Sequence, residues 1–255
     1  MRAPLRGEAL SGDHVALLRV EELSRIDVSG DVLTIGAAVT HDGIAAALAG
    51  IAEFSALAMA ATKSANPAIR RVATLGGNLC TTGFAAADLV PALLALDAEV
   101  TFVARNGWQQ ISVERFLAQR HALLPEALVT AVSLRRAART SAHARLPLRK
   151  AGGDYPVAIV SVSLGARHGE RRTRVAVGAV EEVARRWTQL EAAIDALPVV
   201  DPEAGARAAR ALLADFQPRN GPEAPGWYRL EVLPALMRRA LGLSLAAASG
   251  REDGQ

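Results

Sequence analysis

The chain has 255 residues, 51% of them hydrophobic and only 4% aromatic, with one cysteine (Cys80) and a formal charge of +3. That length allows one large or two modest domains, a lone cysteine excludes a disulfide framework or a thiolate metal cluster and suits a reducing cytoplasm, and no apolar run approaches the ~18–20 residues that span a bilayer. The scarcity of aromatics argues against a base-stacking nucleic-acid surface, and the balance is uneven, residues 1–130 holding ten Arg/Lys against thirteen Asp/Glu and residues 131–255 nineteen against thirteen.

Along the chain, Met1 to Asp13 carries no apolar signal-peptide core. Val32 to Ala37 reads as a strand leaving the Gly30-Asp31 turn, and Thr40 suits an N-cap for a helix to about Leu48. A second helix covers about Glu53 to Ser64 and ends before Asn66-Pro67. After a glycine-containing loop, Asp88 to Leu96 is helical, with Pro91 tolerated in its first turn. Glu99 to Ala104 and Trp108 to Ile111 flank Arg105-Asn106-Gly107 as a hairpin. Ser112 caps a short helix to about Arg120, and Ala127 to Leu134 is a strand. No acid lies between Glu126 and Asp154, where Arg135, Arg136, Arg139, Arg145, Arg149 and Lys150 fall. This basic run reads as a solvated linker or subunit contact, with anion or nucleic-acid binding as the sharper alternative. A second unit opens with Leu146-Pro147-Leu148 and a Gly152-Gly153-Asp154 turn. Strands at Pro156 to Leu164 and Arg174 to Val180 follow, then helices at about Arg186 to Leu197, Pro202 to Phe216 behind Asp201, and Trp227 to Ala247. The tail after Ser249 reads as frayed.

The stretch that carries chemistry is Thr74-Leu75-Gly76-Gly77-Asn78-Leu79-Cys80, followed by Ala86-Ala87-Asp88-Leu89. Paired glycines let backbone N–H groups approach a ligand, and successive N–H groups in such a turn form an anion nest suited to a pyrophosphate. Asn78 adds side-chain donors, and Asp88 could accept from ligand hydroxyls. Taken without context the turn is bare, Asp88 is a helix N-cap, and His41 is a helix-start residue. Cys80 then reads as a small buried residue, and Trp187, Trp227 and Tyr228 as packing anchors for the last helices.

Arg70 to Asn78, then Ala87 to Ala98, resemble the FAD-binding medium subunit of the molybdenum hydroxylases, the family of xanthine dehydrogenase and aerobic carbon monoxide dehydrogenase. The resemblance extends to Leu33–His41 upstream and to Tyr228-Arg229 and Leu236–Leu241 downstream, about residues 15 to 243 in all. It implies an α+β architecture: a vanillyl-alcohol-oxidase-type (PCMH-type) FAD-binding domain over 1–138, then an antiparallel sheet plus three helices over 139–247, and a tail at 248–255. It implies FAD held by Thr74, Leu75, Gly76, Gly77, Asn78, Asp88 and Thr40, with Leu75 against the flavin and the region of Lys150 and Asp154 meeting the cofactor site. No catalytic residue and no metal ligand is implied on this chain. The partners would be a molybdenum-cofactor large subunit and a two-iron, two-sulfur small subunit in a cytoplasmic hetero-oligomer, with no nucleic acid and no membrane insertion. Electrons would pass from the iron–sulfur subunit through FAD to an acceptor such as NAD or oxygen. The family also has an earlier Ala-Gly-Gly-Thr-type loop, whereas no Gly-Gly precedes residue 76 here, so the reading keeps a truncated, non-catalytic scaffold as its alternative. The spacing from Asn78 to Asp88 is also one residue longer than the resemblance leads one to expect, and Phe84 stands where proline is common.

Overall fold

The computed structural model describes residues 15–148, 155–167 and 169–252. The Gly152-Gly153-Asp154 turn, Lys150 and the first fourteen residues lie outside them. Among the described residues two antiparallel sheets carry the architecture. The first holds β1 (Ile26–Ser29), β2 (Val32–Gly36), β3 (Glu99–Ala104), β4 (Gly107–Ser112) and β5 (Ala127–Arg135), in the order β1-β2-β5-β3-β4. The second holds β6 (Arg139–Pro147), β7 (Pro156–Arg167), β8 (Glu170–Gly178) and the short β9 (Arg185–Arg186), in chain order.

Alternation along β2, β3 and β5 turns Leu33, Ile35, Val100, Phe102 and Val132 to one face. There they join α1 (His41–Ala47), α2 (Ser55–Lys63), α5 (Leu89–Ala95) and α6 (Val113–Leu123) in the first core. The β3–β4 hairpin forms as its sequence directs, with Ala104 opposite Gly107 and only Arg105-Asn106 between them. Its left-handed position, φ +98°, falls on Gly107. Ser112 accepts a hydrogen bond from the Arg115 N–H, which starts α6 where the capping rule places it.

The second sheet turns Ala142, Ala144, Val160, Val162, Val175 and Val177 toward α7 (Thr188–Asp195), α8 (Pro202–Ala211), α9 (Gly226–Glu231) and α10 (Leu233–Glu252), forming the second core. Fully buried Trp187 stacks edge-on against Phe216 at 4.8 Å and donates to Asp215 at 2.8 Å, so it is a packing anchor. Trp227 is 69% exposed and only leans on half-exposed Tyr228, so the same reading fails there. The long last helix divides at Val232 into α9 and α10, and α10 runs past Ser249 to Glu252 rather than fraying there.

One expectation is reversed outright. The basic run is not a solvated linker: Arg139–Pro147 is strand β6, paired along its length with β7. Its Ala142 and Ala144 face the second core while Ser141, His143 and Arg145 face the first domain, all of them buried. Ser141 accepts from the Ala56 N–H at 2.9 Å and donates to the Glu53 carbonyl, closing the start of α2 from the opposite domain. A polar strand is stable in this position because its buried polar side chains find partners, Ser141 and Arg145 across the junction and Thr140 and His143 on Ser244 and Ser161 of the second unit.

Between the sheets lies α5, whose seven residues are all buried. A helix apolar on every side must be covered on every side, and here one flank meets the first core while the other meets β7 and β8. The fit is close enough that a Cβ added at Gly178 would lie 2.5 Å from Pro91 Cγ. Gly178→Val is therefore expected to destabilise the chain by about 1–3 kcal/mol through overpacking. A lowered urea midpoint at unchanged slope would show it, and an unchanged midpoint would refute it.

Candidate functional site

The site begins at an isolated antiparallel bridge between Thr40 and Thr74. Each threonine is an extended N-cap: Thr40 accepts from the Gly43 N–H to start α1, and Thr74 from the Gly77 N–H to start α4 (Leu75–Cys80). Backbone bonds lace the two segments together, from His41 to Ala73, Leu75 to Val39 and Gly76 to Ala37. Ahead of α4, Asn66 caps the short α3 (Pro67–Arg70), with Pro67 in its first turn.

The Gly-Gly-Asn segment is thus the first turn of a helix rather than an open glycine loop. The N–H groups of Leu75, Gly76, Gly77 and Asn78 all have acceptors inside the protein, so they do not form a free anion nest. Gly76 is needed for packing: its Cβ would sit 3.0 Å from both the side chain and the carbonyl of Ala37. Gly77 is exposed, and a Cβ there would meet only the Thr74 hydroxyl at 3.0 Å. Leu75 is fully buried in the first core, so its side chain does not reach the surface.

Asn78 and Asp88 exchange the roles that their positions imply. Asp88 has helical backbone angles and makes no capping bond; Asn78 instead accepts from the Leu89 N–H at 3.2 Å and starts α5 from a distance. The N-cap reading of Asp88 therefore fails, because its carboxylate is drawn elsewhere. It is buried against β6, with Arg145 Nε at 2.9 Å and His143 Nε2 at 3.9 Å. Burial pushes the Asp88 carboxyl up to about 7, against the pull of Arg145. Arg145 also donates to the Lys63 carbonyl at 2.7 Å, joining the end of α2 to the same cluster. His143 meets Ser161 at 2.9 Å, and burial, helped by Arg145 and Lys63, lowers its imidazole to about 3.

His41, next to Thr40, is buried as well. Ser64 donates to the Ala61 carbonyl, which leaves its oxygen to accept from His41 Nδ1–H at 2.6 Å. Burial brings the imidazole down to about 4, so the ring is neutral and acts as a prop beneath the Thr40–Thr74 junction. Cys80, half-buried, has its thiol pushed up to about 11 by burial and is unsuited to thiolate chemistry. The alternation that places Arg145 and His143 here (Ser141, His143 and Arg145 against Ala142, Ala144 and Leu146) was present in the sequence as a strand signal hidden by its positive charge.

The half-exposed rim left by this arrangement consists of Thr40, Thr74, Gly77 and Asn78. Both threonine hydroxyls accept from the backbone and keep a proton to donate, and the Asn78 amide N–H₂ has no partner among the described residues. This is a donor-rich edge beside a glycine with no side chain in the way, which fits an oxygen-rich ligand such as the phosphate and ring oxygens of a dinucleotide.

Residues 6–135 match the model of the FAD binding domain in molybdopterin dehydrogenase, and residues 142–243 match that of the CO dehydrogenase flavoprotein C-terminal domain. The 6-hydroxypseudooxynicotine dehydrogenase complex subunit alpha of Paenarthrobacter nicotinovorans is 28% identical over 238 residues, covering 92% of this chain and 80% of that one. A chain of quinoline 2-oxidoreductase from Pseudomonas putida 86 superimposes with a TM-score of 0.75 at 26% identity, over 90% of this chain and 79% of the other. A chain of the Cu,Mo-CO dehydrogenase does so at 0.78 and 22% identity, over 89% and 79% respectively. Among the described residues no helix is long and apolar enough to cross a membrane. The chain belongs to the family of FAD-binding domains of molybdopterin dehydrogenases, as an oxidoreductase flavoprotein subunit whose cofactor is FAD.

Proposed function

We propose that this chain is the electron-transfer flavoprotein of a cytoplasmic molybdenum hydroxylase. It receives electrons from a two-iron, two-sulfur small subunit and hands them to an acceptor such as NAD or oxygen, while hydroxylation takes place on the molybdenum-bearing large subunit. The observation that carries this reading is the paired junction of Thr40 and Thr74, two N-caps whose hydroxyls each keep a proton to donate, beside Gly77 and Asn78. FAD, when bound, supplies the chemistry of collecting electrons one at a time and releasing them as a pair. The residues of this chain bind and orient it. Thr40, Thr74 and Asn78 donate to its oxygens, Gly77 admits it, Gly76 and Leu75 hold α4 against the core, and Asp88 fixes the α5 start through the domain junction. In the same reading the FAD-binding domain ends at about residue 138 and the second domain covers 139–247.

The loop itself provides the test. Gly77→Val places a branched side chain beside the Thr74 hydroxyl at an exposed position. The expected result is loss of flavin from the purified protein at a folding cost of about 0.5–2 kcal/mol, the worth of a helix cap. The flavin-to-protein ratio after gel filtration measures it, and an unchanged ratio places the cofactor elsewhere. One observation favours a second reading, a scaffold that docks to partner subunits without FAD: Asp88 is engaged by Arg145 and does not face solvent. Wild-type protein that remains colourless after incubation with FAD would establish the scaffold reading and exclude the first.

A further inference from the structure

A cleft of about 1020 Å³ is lined by residues of both sheets and the segments joining them, and none of the residues assigned to FAD lines it. Its walls carry six arginines: Arg135, Arg136, Arg139, Arg172, Arg174 and Arg186. Three carboxylates, Asp97, Glu99 and Glu114, share the lining. The arginines come from both domains, so the cleft exists only because the domains are docked.

The centre of the cluster is Asp97, which follows α5 in a left-handed conformation, φ +52°. The Asp97 N–H donates to Leu94 and the Ala98 N–H to Leu93, the Schellman ending that normally takes glycine. A carboxylate at a helix C-terminus meets an unfavourable dipole, and here Arg172 at 2.8 Å, Arg174 at 3.1 Å and Arg186 at 3.7 Å offset it. Arg174 and Arg186 are also bound to Glu191, and Arg136 to Glu53 at 2.7 Å, so these three are largely neutralised. The remaining cationic capacity lies on Arg135, exposed and without a partner among the described residues, and on Arg172, which gives Asp97 one nitrogen and keeps a buried Nε–H unpaired. Arg139 joins them: it donates to the carbonyls of Leu96 and Arg135, meets no carboxylate directly, and also holds an unpaired Nε–H.

The first sheet adds Gln110 to the same lining, where it donates to Glu99 at 3.2 Å and Ser133 at 2.8 Å. Planar guanidinium forks match phosphate oxygens two at a time, and a carboxylate with neighbouring hydroxyl and amide groups suits a polyol. We propose that the cleft is a binding site for a phosphate-bearing small molecule, with the phosphates on Arg135, Arg139 and Arg172 and a hydroxylated moiety toward Glu99. The site is separate from the flavin rim and does not depend on the reading given for it.

The test uses the full chain and inorganic pyrophosphate as the probe, followed by calorimetry. Wild-type protein is expected to bind pyrophosphate with an affinity that falls as salt is raised. Arg135→Gln combined with Arg172→Gln should weaken binding at least tenfold, whereas Gly77→Val should leave it unchanged. Glu99→Gln, which removes a negative charge from the wall without touching the Asp97 cluster, should strengthen it severalfold. That opposite sign keeps the test decisive if the arginine variants fold poorly. Absence of binding at millimolar pyrophosphate, binding lost with Gly77→Val, or indifference to Glu99→Gln would each overturn the proposal. Retained binding in a well-folded arginine double variant would do the same.

Discussion

Arg145→Ala is expected to lower the stability of the chain by about 3–5 kcal/mol, the cost of leaving one member of a buried ion pair behind. Arg145 Nε lies 2.9 Å from Asp88, and both side chains are buried. Its loss also frees the Lys63 carbonyl at the end of α2, which Arg145 holds at 2.7 Å. Without Arg145 the Asp88 carboxyl rises further and keeps its proton, so the cost is smaller in mild acid and grows as pH rises above about 7, where the wild-type carboxyl ionises against Arg145 and the variant's does not. Urea unfolding of wild type and variant at two pH values measures both the size and the trend. Replacing the pair together, Asp88→Leu with Arg145→Met, should recover most of the loss, because a matched apolar pair carries no desolvation cost. A single variant that loses under about 1 kcal/mol would mean that the pair does not bind the domains together.

The second large effect is acid sensitivity from histidines buried in the neutral form. His41 is held at about 4, below its ordinary 6.5, because burial disfavours its charged ring. In the unfolded chain the same imidazole protonates near its ordinary value, so between about 6.5 and 4 the unfolded state binds more protons. Stability is complete above about 6.5 and is lost as pH falls toward 4, by about 3 kcal/mol at 1.36 kcal/mol per unit. His143, lowered to about 3, acts in the same direction and continues further into acid. Asp88 acts oppositely: its raised carboxyl favours the folded state increasingly as pH drops from about 7 toward 4, and so offsets part of the loss. His41→Leu isolates one contribution, since Ser64 keeps its bond to Ala61. Between pH 6.5 and 4 the wild type should lose about 3 kcal/mol more than this variant. Parallel stability curves for the two would show that His41 is not buried neutral.

Much of the first domain was legible because its signals are local. Thr40, Ser112 and Asp201 each cap the helix that their side chains suggest, and the β3–β4 hairpin forms around its glycine. What was hidden depends on contacts distant in sequence. Strand β6 is rich in arginine, serine, alanine and histidine, poor strand formers by composition. It is ordered by Asp88, Glu53 and Lys63, each more than fifty residues from its partner on the strand, and by pairing with β7, which brings Ser161 to His143. The Gly-Gly-Asn segment pointed to a candidate site but not to the form of its backbone. Two glycines argue for a loop, yet Thr74 behind them caps a helical turn, and the nest donors turn inward. Asp88 and Asn78 illustrate the same limit: the acid before α5 is the obvious cap, and the cap is supplied by the amide ten residues earlier.

Helix α5 has a consequence for the chain as a whole. It is buried on one side by the first sheet's core and on the other by β7 and β8, with Gly178 seated on Pro91. Neither half of the sequence can therefore complete its own interior. Separated at residue 138, the first half would present α5 and Asp88 to water, and the second would lose the surface on which Ser141, His143 and Arg145 close. The two halves are distinct units of sequence but a single cooperative unit of folding, so a disturbance at either is felt at Asn78, which starts the element they share.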